Sequence, residues 1–192
     1  MNDVDHGDET ANTFRRLGAI SLVLGVLSLS RLVVELYQTR TMYGTDRYFA
    51  SLAADFLLAI ATCLTGVGLL RTLRWATACA TITAVAVFVT SAARLLDHGK
   101  VQLEIILVLG MNHNVEMFLL ASRLFLNGIH VIFGPIVAGH VYIDLQSRDS
   151  EDLGTREEKR RFWWRAGAAV LACALVELLL HLIPPHQADQ LS

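Results

Sequence analysis

Five windows of about 20 apolar residues, at 17–37, 49–70, 75–96, 117–143 and 162–183, constrain this chain more than any other feature. As helices rising 1.5 Å per residue, each is long enough to cross a hydrocarbon core of about 30 Å. Only a helix or a closed barrel satisfies its backbone N–H and C=O groups in lipid, and continuous apolar runs of this length read as helices. A sixth run, "VQLEIILVLGM" at 101–111, is too short to span and carries Gln102 and Glu104. It reads as a helix lying at the interface. The expected fold is therefore all-α: an integral membrane bundle of five transmembrane helices with a short interfacial helix between the third and fourth.

The polar segments divide the chain. Residues 1–14, with Asp3, Asp5, Asp8 and Glu9, are expected to be a disordered N-terminus. Four spans and the interfacial segment follow within 15–143, then the polar connector 144–161, the fifth span, and a tail at 184–192 behind Pro184-Pro185. In the connector, Thr155 with Glu158 has capping-box spacing, and Glu157 with Arg161 is an i,i+4 pair in the favourable order.

Orientation follows from the basic residues, which are retained on the cytoplasmic side. With the N-terminus inside, Arg15, Arg16, Arg71, Arg74, Arg148, Arg156, Lys159, Arg160 and Arg161 are cytoplasmic, against Arg40, Arg47 and Lys100 outside. The expected location is the cytoplasmic membrane, N-terminus in and C-terminus out. A cleaved signal peptide is the rival reading of the first window, with Phe14-Arg15-Arg16 before the apolar run and Ser28-Leu29-Ser30 within it. The long acidic stretch ahead of it, and apolar sequence resuming after Arg31, favour a permanent helix.

The second and third windows are joined only by the turn around "RTLRW" and must form an antiparallel hairpin. Gly66, Gly68, Thr62 and Thr65 on one side, and Thr77, Thr81 and Ala84 on the other, supply the small residues for its close approach. Pro135 cannot donate to the carbonyl of Val131, so a kink or broken turn is expected in the fourth window, beside His130.

Charge inside these windows is costly, and the sequence repeats it. "LSRLVVE", "AARLLDH" and "ASRLFLN" place Arg31, Arg94 and Arg123 in three different windows. Measured from the window midpoints, Arg31, Asp55 and Glu177 lie roughly 6 to 8 Å outward of centre, Arg123 about 10 Å, and Glu35, Arg94 and His181 about 12 to 14 Å. Left unpaired, three arginines and three carboxylates would cost on the order of 10 kcal/mol, so they are expected to satisfy one another. The expected intramembrane polar cluster is Arg31, Glu35, Asp55, Arg94, Arg123, Asn127, Glu177 and His181. Arg31 with Glu35, Arg123 with Asn127, and Glu177 with His181 are each i,i+4 and share a face.

Two chemistries compete for these residues. Buried charge fixes which helices meet, which is a structural use, whereas ionisable residues converging at one depth from several helices mark a functional site. His113 and Glu116, three apart, could combine with Glu177 and His181 around a metal, although no His-Glu-x-x-His or Glu-x-x-His pair is present. There is no Walker loop, G-x-G-x-x-G or G-x-S-x-G, and neither Lys100 nor Lys159 lies in a helix core to carry a Schiff base. No cofactor is expected. Cys63, Cys79 and Cys173 all lie in apolar windows and read as packing residues.

A net charge of −2 excludes nucleic acid as a partner. The expected partners are the lipid bilayer and a second copy or another membrane protein. The leading functional expectation is a non-enzymatic accessory or assembly protein. A small-solute transporter or channel-like protein with an outward-facing polar cavity, and a membrane-embedded metal or redox enzyme, are the alternatives.

Overall fold

The computed structural model describes residues 3–39, 46–109, 115–147 and 153–182. Five helices account for nearly all of them: α1 (Asp3–Thr39), α2 (Asp46–Leu70), α3 (Arg74–Leu109), α4 (Val115–Ser147) and α5 (Leu153–Leu182), with no strand among the described residues. All five are long and apolar enough to span a membrane. The 37 residues of α1 and the 36 of α3 make helices of about 55 Å, so both extend well beyond a hydrocarbon core.

Two of the helices absorb sequence that had been expected to stand apart. α1 starts at Asp3, so the polar segment 1–14 is helical from that residue onward. Residues 101–109 are helical as the continuation of α3, not as a separate interfacial element. Gly99 does not interrupt that helix, because one interior glycine costs only about 1 kcal/mol. Lys100 and Glu104 add an exposed i,i+4 pair at 3.8 Å.

In α4 the helix is continuous through Pro135. The expected broken turn is absent because proline removes only one backbone bond, and the neighbouring Gly134 is clamped against α3. A Cβ at Gly134 would lie 2.7 Å from the Ala84 carbonyl oxygen. α5 begins at Leu153, two residues before Thr155, so the expected capping box does not mark its start.

α1 and α2 pack antiparallel with their backbones nearly touching. A Cβ at Gly66 would fall 2.6 Å from the Leu22 amide nitrogen and 2.8 Å from the Gly18 carbonyl oxygen, and one at Gly25 would fall 2.9 Å from the Cys63 nitrogen. Gly66 thus serves α1, and not the α2–α3 hairpin for which the sequence suggested it. The hairpin keeps Gly68, against Ala76 and Trp75, and the Thr65 to Thr83 hydroxyl contact at 3.2 Å. Close approach through small residues is how helices associate where lipid removes the hydrophobic drive.

The hairpin turn is a Schellman closure. The Leu73 N–H donates to the Gly68 carbonyl at 3.0 Å and the Thr72 N–H to the Leu69 carbonyl at 3.1 Å. Thr72 occupies the left-handed position with φ 51°, where a β-branched residue is strained and glycine is not. Thr72→Gly is expected to stabilise the fold by about 1 kcal/mol. A thermal melt in detergent checks this, with a Tm rise of about 2 to 4 °C expected.

At this turn end of the bundle, Leu17, Leu69, Ala76, Ala80, Val137, Val141 and Phe162 form a core to which every helix contributes. α5 lies on the outside, mainly against α3. The opposite end of the bundle has charge in its core.

Candidate functional site

α1, α2, α3 and α4 each carry an acidic or basic side chain toward one level near the end of the bundle remote from the α2–α3 turn. Asp55 sits between two arginines: Arg94 Nη1 lies 2.6 Å from its carboxylate and Arg31 Nη2 lies 3.5 Å away. Glu35 also faces two: Arg123 Nη2 contacts its Oε1, and Arg31 Nε lies 3.9 Å from its Oε2. Arg31 is therefore shared by both carboxylates, and one chain of charge runs Arg94, Asp55, Arg31, Glu35, Arg123 across four helices.

Burial makes this chain more than a surface network. The Glu35 and Asp55 side chains are 7% and 12% exposed, and Arg31 is 9% exposed. Arg94 and Arg123, at the two ends, are 20% and 32% exposed. Charges this enclosed are tolerated only when each carboxylate is bracketed by cations and each cation by anions. Asn127, one turn below Arg123, is buried beside the cluster. Glu177 is half-buried on α5 and engages another group of the protein. His181 lies one turn further along the α5 backbone, and its side chain is outside the described residues.

The space described beside Arg31, Asp55 and Arg94 is small. A cavity of about 30 Å³ lies among Arg31, Asp55, Arg94, Asn127 and His130, with Ser28, Ser91 and Thr90 in its wall. That is the volume of one water molecule. A second cavity of about 20 Å³ lies below it, between Ser21, Thr62, Thr65, Thr83 and His130. His130 and Thr62 line both. The Nε2 atom of His130 is buried without a hydrogen-bond partner in the protein, so it is the natural ligand for a water in either space. The sequence placed His130 beside Pro135 but not in the cluster. An i,i+3 step from Asn127 and i,i+7 from Arg123 was the available signal.

A larger cavity lies elsewhere and was not foreseen. At the turn end, about 1020 Å³ opens between all five helices. Its lining comes from Phe14, Leu69, Trp75, Thr81, Val141, Asp144 and Arg165, positions spread so widely that no local spacing announces them.

Of the suggested metal set, Glu177 alone has a described side chain. His113 lies outside the described residues, as do the side chains of Glu116 and His181. Among the described residues no group of three or more His, Cys, Asp or Glu side chains is placed to hold a metal ion. The cysteines are unpaired thiols, with Cys173 Sγ 3.7 Å from the Thr90 hydroxyl.

No protein-family model matches this chain, and no curated protein or solved structure is significantly similar to it. The arrangement thus has to be interpreted from its own chemistry, as a five-helix bundle long and apolar enough to span a membrane with a bridged ion chain in its core.

Proposed function

We propose that this protein is a non-enzymatic membrane protein of the accessory or assembly type, in which the ion chain is a scaffold. The observation that carries this reading is the mutual bridging of Asp55 and Glu35 by three arginines, while the cavity described beside Arg31, Asp55 and Arg94 measures about 30 Å³. A solute site needs unsatisfied groups around a ligand-sized space, and small-molecule sites occupy roughly 300 to 1,000 Å³. An outward-facing transport cavity, the alternative, would have to open by separating these pairs.

The proposed setting is the cytoplasmic membrane, with the N-terminus and the α2–α3 turn inside. The excess of Lys and Arg on that side supports it. The proposed partner is a second copy or another membrane protein, because five helices of this size offer little else on which an accessory role could act.

Replacement of Arg123 by alanine tests the reading. It removes the nearer of the two arginines described at Glu35 and is expected to cost about 2 kcal/mol, less than a fully enclosed pair because Arg123 is 32% exposed. Proteoliposomes of the native protein are expected to admit small neutral and ionic solutes no faster than protein-free liposomes. A native solute flux that vanishes in Arg123→Ala at unchanged Tm would replace the scaffold reading with the transport one.

A further inference from the structure

The cavity of about 1020 Å³ at the turn end is lined by none of the residues of the ion chain. Its most buried lining is Leu69 and Val141 with Thr81, whose hydroxyl is taken up by the Thr77 carbonyl at 3.1 Å. Its wall is aromatic, from Phe14, Trp75 and Phe162. Its rim is charged, and the charges are unequal in their commitments.

Arg161 and Arg165 are i,i+4 on α5 and both line the cavity. Arg161 is held by Glu157 at 3.2 Å. Arg165 is half-buried and makes no ion pair among the described residues. The carboxylates at the rim, Asp144 and Glu158, have interactions of their own within the protein. A half-buried guanidinium above an apolar chamber is the pattern that accepts a phosphate head group and shelters the chain attached to it.

The level of the rim supports the same occupant. Trp163 and Trp164 lie beside it on α5, 62% and 74% exposed, and Tyr142, Phe162 and Trp163 stack with centroids 5.3 to 5.6 Å apart. Exposed tryptophans on a spanning helix settle at the depth of lipid head groups. The mouth of the cavity is therefore level with the phosphates of the adjoining leaflet.

We propose that this vestibule binds one anionic phospholipid, with its phosphate on Arg165 and Arg161 and its first methylenes against Phe14, Leu69 and Trp75. The inference rests on the bundle spanning a membrane and is independent of what the ion chain does.

The test uses the full chain, purified in neutral detergent. Phosphatidylglycerol, phosphatidylcholine with the same acyl chains, and inorganic phosphate are added separately, with Tm and native mass spectrometry as readouts. Phosphatidylglycerol is expected to raise Tm saturably and to be retained one per protein, whereas the other two leave Tm unchanged. Arg165→Gln is expected to weaken this binding by at least about tenfold, the factor for one charge-assisted hydrogen bond. Arg160→Gln, which removes an exposed charge outside the cavity, is expected to leave binding as it was.

Equal shifts with phosphatidylcholine, or an Arg165→Gln protein that binds as the native one does, would overturn the proposal. A shift with inorganic phosphate alone would mark a phosphate site and overturn the lipid assignment. Should Arg165→Gln fail to fold, Ala78→Leu, which narrows the chamber from its apolar wall, is expected to show the same loss.

Discussion

Asp55→Asn is expected to destabilise the bundle by about 3 to 5 kcal/mol, because it leaves two arginines facing a neutral side chain in a buried setting. The carboxylate is the only described anion between Arg31 and Arg94, and asparagine keeps its shape while removing its charge. Adding Arg94→Leu to Asp55→Asn should recover part of the loss, since it restores the original balance of charge around Arg31. The control is Glu157→Gln on the exposed face of α5, where Arg160 and Arg161 lie at 2.8 and 3.2 Å. That change should leave Tm close to the native value, as loss of an exposed pair does. Thermal melts of the four proteins in one detergent decide the matter. An Asp55→Asn protein that melts with the native one would remove the ion chain from any account of how these helices are held together.

The second large effect is steric. Gly66→Ala would drive a methyl group to within 2.6 Å of the α1 backbone, where no side chain can rotate away. The helices must separate, and a loss of about 2 to 3 kcal/mol is expected. Gly128, Gly139 and Gly167 have nothing within 4 Å of the corresponding position, so alanine there should be neutral or stabilise by up to about 1 kcal/mol. Tm values across this set separate contact from helix propensity. If Gly66→Ala melts like Gly128→Ala, then α1 and α2 are not packed backbone to backbone.

The contrast between these two glycines also shows what the sequence could and could not convey. The five apolar windows are one-dimensional signals, set by length alone, and they became the five helices. The charges were legible because a charge in an apolar window must find a partner, and depth along a helix is proportional to residue number. Arg31, Asp55, Arg94, Glu35 and Arg123 were matched by that argument without knowledge of which helices touch. Gly66 carries no such information. A small residue reports that something comes close, not what, and α1 arrived where α3 was expected. The vestibule was invisible for the same reason, being made of ordinary residues from every helix. The extent of α1 and α3 was underestimated because a polar segment without proline loses little by staying helical when an apolar helix has already been nucleated beside it.

The position of α5 has a consequence for the order of events at the ribosome. The chain is made from the N-terminus, and the ion pairs described here join α1, α2, α3 and α4. All four carriers are synthesised before α5, so every partner in these pairs is available before α5 is translated. α5 then arrives at a finished surface along α3, bringing Phe162 to the core and Arg165 to the rim of the vestibule. Of the five helices that wall the chamber, α5 is the last to be made, so its wall is added in the presence of lipid.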